Sequence, residues 1–386
     1  MLETRTGILI NGYDDSYLVL DGTEHVYKSH HDINIGDAIC VKRKYEFCEN
    51  DAVIDFEFGV KSKYATNIKE VTIPETCNHL LGEWLGYIIA NGVSVQNYVA
   101  MSSIPSLSTS NYHSLVKNLF GLNLRVSRER EGTDCVSHVL HSVIVVKFLD
   151  YLTGGFTTAR FKKFPEFVKT SSKETQRRFI RALFDCDGCQ LKGGFEFSSA
   201  SEYLIRSVQE VLFRFGIVST IKRAYAKQYP DHTYWKLFIR GDNVDKLYYE
   251  ILFDSYKYLI KEDKKRNTNI DLVYGALERM TRSINLARKT LGVNKAGTYL
   301  DKDGKQTRFI AAKFLNTMNC YNMSYFALEN VYNDFKSSPE DQRDVLNEDI
   351  VWMENVLKKN YFYDIVVGES EDTVCEYFPD EFLIKK

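Results

Sequence analysis

Asp187 and Asn91 are the residues around which chemistry could be built. Asp187 closes the stretch Phe179 to Gln190, FIRALFDCDGCQ, and Asn91 closes Trp84 to Gly92, WLGYIIANG, 96 positions earlier. A carboxylate near a helix C-terminus faces the negative pole of the helix dipole, at a cost of roughly 0.3–1 kcal/mol when exposed. The placement of Asp187 therefore points to a role other than local stability. Two other groups invite a metal. Cys186 and Cys189 form a CxxC, but neither a second CxxC nor a spaced His pair completes the four ligands of a zinc site. Cys186 reads instead as part of a packing surface. His30, His31 and Asp32 have no third spaced ligand nearby and read as turn or surface residues.

The elements that must hold Asn91 and Asp187 are helices. Apolar or small residues at Phe179, Ala182, Leu183 and Cys186 follow helical spacing, and Gly188 stands where a helix commonly stops in a left-handed turn. Small residues four apart, Gly86 with Ala90 and Ala182 with Cys186, leave a flat stripe on each helix. Two such helices can pack backbone to backbone with their C-terminal ends together, setting positions 91 and 187 side by side. Further matches support a repeat. Ser102 and Ser103 recur as Ser198 and Ser199, NYHSLVKNLFG corresponds to SEYLIRSVQEVLFRFG, and LNLRVSRER to IVSTIKRAY. An α/β unit of about 95 residues is duplicated, as in a pseudo-dimer, with the second copy closing near residue 265.

With 26% charged and 44% hydrophobic residues over 386 positions, the composition describes an ordinary globular protein of two or three domains. No run of eighteen apolar residues occurs and MLETRTG lacks a signal-peptide core, so an intracellular location is expected. The net charge of −2 hides segregated blocks. Between Phe156 and Arg181 stand Arg160, Lys162, Lys163, Lys169, Lys173, Arg177, Arg178 and Arg181 against only Glu166 and Glu174. A second basic cluster is Lys257, Lys261, Lys264, Lys265 and Arg266, and the C-terminal stretch is acidic. Such segregation suits a surface that meets phosphates.

Five segments are expected. Residues 1–75 read as a β-rich segment of short strands, GILINGY, SYLVLDG, DAICVKR and VIDFEFG; 76–170 and 171–266 hold the two copies. Residues 267–345 read as helical, either contacting DNA or bridging domains, with Leu272, Ala276, Met280 and Ile284 on one face. Residues 346–386, with DIVWMENVL and YFYDIVVGES, read as strands returning to the N-terminal segment.

The paired helices WLGYIIANG and IRALFDCDG resemble the two motifs that define the LAGLIDADG homing endonucleases, in the intein-type, two-motif monomeric form. The resemblance covers about residues 78 to 265. It includes FKKFPEFVKTSSKETQRRFIRALFDCDG, similar to the lysine-proline segment before the second motif, and LFIRGDNVDKL, similar to a late strand and turn. HHDINIGDAICVKR and DIVWMENVLKKNYFYDIVVGES look like strands of a protein-splicing (Hint) domain. Position 1 is Met1 and the chain ends FLIKK, so the flanks are expected to be degenerate and without splicing activity.

The resemblance implies an α+β fold: a duplicated αββαββα core with paired central helices and pseudo-two-fold symmetry, flanked by a mostly β Hint-like domain. It implies hydrolysis of double-stranded DNA at a long specific site with divalent metal, Mg2+ by the hardness of the oxygen ligands. Asp187 and Asn91 fall at the metal positions. The assisting lysine maps to Lys162, with Lys163 next, and its second-copy counterpart to Lys257 or Lys261. Strands after each motif would contact DNA, through Arg125, Arg128, Arg160, Lys169, Lys192, Lys222, Arg223, Lys236 and Arg240. Asn91 offers a neutral oxygen where an acid is expected. Double-strand cleavage, nicking of one strand, and a binding protein or RNA maturase on the same scaffold all remain open, as does an Asp-to-Asn change made to trap a complex.

Overall fold

A switch between a 3.6-residue and a two-residue apolar period recurs along the middle of the chain, and each switch marks a boundary between helix and strand. The computed structural model describes residues 2–10, 16–21, 24–42, 46–58, 70–103, 107–128, 135–155, 158–226, 229–255, 257–258, 272–273, 276–311, 323–359, 361–369 and 384–385. The chain divides into two units, residues 45–264 and residues 1–44 with 265–386.

The 45–264 unit runs through α1 (His79–Asn91), β1 (Gly92–Val95), β2 (Tyr98–Ser103), α2 (Leu107–Phe120), β3 (Arg125–Arg128), β4 (Val136–His141) and α3 (Val143–Thr153). It continues through α4 (Glu166–Lys169), α5 (Lys173–Asp187), β5 (Gly188–Leu191), β6 (Gly194–Ser199), α6 (Glu202–Arg214), β7 (Thr220–Ala226), β8 (Tyr229–Arg240) and α7 (Asn243–Leu247). Two four-stranded antiparallel sheets form, in the orders β1-β2-β4-β3 and β5-β6-β8-β7. One face of each sheet is apolar. Phe195, Phe197, Leu237 and Ile239 are fully buried, while Glu196, Ser198, Lys236 and Phe238 alternate with them, as a half-buried antiparallel sheet requires.

The two central helices start differently, one on a local cap and one on an acid far away in sequence. The Asn78 side chain accepts from the amides of Leu80 and Leu81 and caps α1. At α5, Asp51 takes that part: its Oδ1 accepts from Ser172 N at 3.1 Å and Thr175 Oγ1 at 2.8 Å, an acid at the positive helix pole. Asp51 lies in the unit that begins at residue 45, whereas the sequence suggested a boundary at 75. The amide of Ala52 also donates to Ser171 Oγ, and the rings of Phe47 and Phe56 pack edge to face on Phe215 and Phe148. The described part of VIDFEFG, residues 53–58, therefore belongs with the helices, and among the described residues its ladder contact is a single bridge from Val53 to Thr76.

In the other unit, Ala38–Lys42 pairs antiparallel with Tyr361–Glu369 and with Ser16–Asp21, and Leu2–Thr4 joins the far end of Tyr361–Glu369. Helices Ala276–Thr290, Tyr325–Lys336, Glu340–Val345 and Asn347–Leu357 share a second core that includes Met280, Ile284, Leu328 and Met353. DIVWMENVL is thus helical, against the strand expected for it. Asp349 and Met353, one turn apart, are its buried residues, and Arg279 pairs with Asp349 while lying over the Trp352 ring. His30–Asp32 is a single 3-10 turn with its two imidazoles edge to face.

Candidate active site

Glycines let α1 and α5 meet. A Cβ at Gly86 would stand 2.5 Å from Phe179 O and 2.7 Å from Ala182 Cβ, and one at Gly82 would stand 2.8 Å from Thr175 O. As the position rises from 82 to 86 on α1, the facing position rises from 175 to 179 on α5. The helices are therefore parallel, and Asn91 and Asp187 are the last residues at the same end of the pair. Closest approach falls one turn earlier than the stripe expected from Gly86 and Ala90; Ala90 and Cys186 are only partly buried.

Each helix end carries a lysine. Lys162 Nζ donates to Ala90 O at 2.8 Å, and Lys257 Nζ donates to Gly188 O at 2.6 Å and Cys186 O at 3.4 Å. Ala90 and Cys186 each precede the terminal polar residue of their helix, and the lysines lie 72 and 71 residues further along the chain. Ammonium groups there satisfy carbonyls that a helix leaves open and offset its negative pole. The same cations act on Asp187. Surrounding protein pushes its carboxyl above the ordinary range, and Lys162 and Lys257 oppose the rise. Asp187 is itself exposed at the helix end, so water stays on the carboxylate and limits that push. Burial lowers the Lys162 ammonium while Asp187 holds it up, so one lysine is coupled to the ends of both helices.

Below the helix ends lies a buried ion network. Arg181, fully buried, pairs with Glu83 of α1 and, at 3.0 Å, with Asp254; its Nε lies 3.9 Å from Asp185. Burial raises the Asp185 carboxyl to about 6, with Ser255, Arg181 and Lys257 pulling it down and Glu83 adding to the rise.

The chain over 174–252, which starts in α5 and includes Asp187, matches the family model described as a LAGLIDADG-like domain. Among curated proteins, an A-type ATP synthase subunit of Pyrococcus abyssi is 27% identical over 64% of this chain and 24% of its own length. The replication factor C small subunit of Methanocaldococcus jannaschii is 26% identical over 51% of this chain and 11% of its own. The chain thus spans a quarter or less of these relatives. Among solved structures, the homing endonuclease I-DmoI in complex with DNA and Mn is 14% identical, with a TM-score of 0.36 over 46% of this chain and 98% of that one.

The residues singled out from sequence separate into two groups. Asn91, Asp187, Lys162 and Lys257 come together. Lys163 does not join them; it is exposed, with its ammonium 5.3 Å over the Tyr203 ring. Lys261 and the Arg128 side chain lie outside the described residues. Arg125, Arg160, Lys192, Lys222, Arg223 and Arg240 are exposed, Arg223 over Trp235 and Arg240 over Phe238. Lys169 is not available to a phosphate, because it is mostly buried in an ion pair with Glu210. Lys236 is paired with Glu196 at 2.7 Å.

Part of the basic block before Asp187 is internal, with Arg177 and Arg181 buried. Arg177 and Arg178 pair with Glu174 of the same helix and with Asp254, and Lys173 with Glu250, so acids both near and distant in sequence neutralise them. Among the described residues no group of three or more His, Cys, Asp and Glu side chains converges as a metal site. Sequence reasoning missed Glu83, Arg181, Asp254 and Ser255. Glu83, the one acid inside an otherwise apolar helix, was the visible signal.

Proposed function

We propose that the protein is a site-specific DNA endonuclease of the LAGLIDADG homing type, reduced to nicking one strand because Asn91 stands where its second carboxylate would be. The observation that carries the reading is the pair of adjoining helix ends, each with its own lysine, of which only one ends in an acid.

Asp187 and Asn91 present hard oxygen donors, one charged and exposed, one neutral. This set fits Mg2+, which takes one or two carboxylates and completes its shell with water and phosphate. When bound, such an ion supplies an activated water and charge relief on the leaving oxygen. The chain's own groups do the rest. Asp187 fixes the charged side of the site, while the Lys162 and Lys257 ammonium groups, held by carbonyls, draw the scissile phosphates toward the helix ends and stabilise charge there. Double-stranded DNA lies along the outer sheet faces, with exposed Arg125, Lys192, Lys222, Arg223 and Arg240 as phosphate or base contacts. The protein acts as a monomer, its two sheets serving the two halves of one long site.

The relatives agree with a mobile, intein-type module. A replication factor and an ATP synthase component have unrelated roles by name, yet each shares with this chain a segment that is a minor part of its length. The sheet joining Ala38–Lys42 to Tyr361–Glu369 is then the Hint-like flank. Asn91 also favours a second reading, a DNA-binding protein or RNA maturase without cleavage, since an amide contributes no charge.

Incubation with a randomised plasmid library and Mg2+, followed by sequencing across the breaks, is expected to give nicks confined to one strand of one long site. Recovery of specifically bound but intact plasmids would replace this function with the binding-only one.

A further inference from the structure

Lys257 and Lys162 reach equivalent carbonyls, but they are held by different means. The chain before Lys257 is fastened to α5 through one hydroxyl. Ser255 Oγ donates to Asp185 Oδ1 and accepts from the backbone amides of Lys257 at 3.1 Å and Tyr258 at 3.2 Å. A serine hydroxyl has one donor and two acceptor sites, so all three are used. Tyr258 OH then donates to Phe184 O at 2.9 Å and lies where a side chain at Gly188 would stand. The acid under this strap is held in turn. Its side chain is 2% exposed, with Arg181 of its own helix 3.9 Å away.

The other helix has no such device. Ile89 occupies the position two before Asn91, as Asp185 does before Asp187, and it is buried and apolar. Lys162 is fastened instead through its own carbonyl, which accepts from Ser201 Oγ at 2.6 Å, the same hydroxyl that caps α6 by accepting from Leu204 N.

We propose that Asp185 is a positioning residue for Lys257: through Ser255 it sets the lysine ammonium at the α5 end, beside Asp187. The structural half of the proposal stands on the hydrogen bonds alone; its catalytic half rests on the endonuclease reading. An apolar residue at 185 would leave Ser255 free to turn, release both amides, and let Lys257 leave the Cys186 and Gly188 carbonyls. The strand served by Asp187 and Lys257 would then be cut more slowly, with DNA still bound, because the lysine acts at the reacting phosphate and the sheets carry most of the binding surface.

Two readouts on the full chain test this. Amide hydrogen exchange without DNA at Lys257 and Tyr258 is expected to speed up at least about tenfold in Asp185→Ala and in Ser255→Ala, as a lost acceptor requires. Asp185→Asn keeps an acceptor and is expected to rescue both amides. On the target DNA with Mg2+, Asp185→Ala is expected to lower kcat by about ten- to a hundredfold with Kd unchanged, and Asp185→Asn to recover most of it. Unchanged exchange in Asp185→Ala overturns the proposal, as does faster exchange with unchanged kcat. If the unsubstituted protein cuts no DNA, the endonuclease reading falls, and the exchange result alone decides whether Asp185 holds the strap. Far-UV circular dichroism and thermal midpoints for each variant separate loss of the strap from loss of the fold.

Discussion

The Lys162 ammonium donates to the carbonyl of Ala90 at 2.8 Å across 72 residues of chain. Lys257 repeats the bond on Cys186 across 71 residues. Two long-range contacts of matching span, each on the residue before a helix-terminal polar group, tie the helix ends into one structural unit. What distinguishes the halves is the terminal residue itself, Asn91 against Asp187.

Close helix contact at glycine is the first requirement of that unit. Gly86→Ala would drive a Cβ into Phe179 O and Ala182 Cβ. Backbone cannot give way as a flexible side chain can, so a loss of about 1–3 kcal/mol is expected, with poorer DNA cleavage following from displaced helix ends. Urea unfolding with unchanged m-value would measure it; a stability within error of the parent would contradict backbone-to-backbone packing.

Removing one member of the buried network should cost more than removing the network. Arg181→Ala takes from Glu83 its fully buried partner, leaving only Arg178 at 3.3 Å, and is expected to destabilise by up to about 3–5 kcal/mol. Adding Glu83→Gln should recover a substantial part. A double-mutant cycle gives the coupling directly, and additive effects would show that the Glu83 contact is not stabilising in solution.

Asp185 predicts a specific pH dependence of stability. Its folded carboxyl titrates at about 6 against an ordinary 3.8, chiefly because it is buried. The folded state thus holds the proton more tightly than the unfolded chain does. The resulting stabilisation is complete below the unfolded pKa and disappears as pH rises through the folded one. Between about pH 4 and pH 7 the parent should lose up to about 3 kcal/mol more than Asp185→Asn, in metal-free buffer. Asp187, also raised, and Glu174 and Asp254, both lowered, are common to both proteins and cancel in the comparison. Parallel stability curves for the two would show that burial does not hold the Asp185 proton.

Much of this site was legible because its signals are local. Asn91 and Asp187 stand at helix ends that the apolar period marks, and Lys162 lies in a short basic-proline segment between the two helices. What was not legible depended on partners far away in sequence. The basic run before Asp187 reads as a phosphate surface until Glu83, Glu210, Glu250 and Asp254 are seen to neutralise it. Gly188 reads as a left-handed stop, but its φ is −73° because β5 begins there at once. Glycine is required for a different reason, the approach of Phe184 O and Tyr258 OH. DIVWMENVL, rich in β-branched and apolar residues, is helical because its buried partners recur at four-residue spacing in a core assembled from three other helices.

Lys162 should separate chemistry from binding. Lys162→Met keeps much of the side-chain volume but removes the ammonium from Ala90 O and from the field on Asp187. Cleavage is expected to fall by about a hundredfold with target affinity within about threefold. Equal losses in affinity and in rate would make Lys162 a binding residue instead.

The central claim, that a single carboxylate at paired helix ends is the active one, is tested most directly by following supercoiled plasmid bearing the selected target site with Mg2+. The parent protein should convert it to open circle, Asp187→Asn should leave it supercoiled, and Asn91→Asp should carry it on to linear DNA. Linear product from the parent, or open circle undiminished in Asp187→Asn, would contradict it.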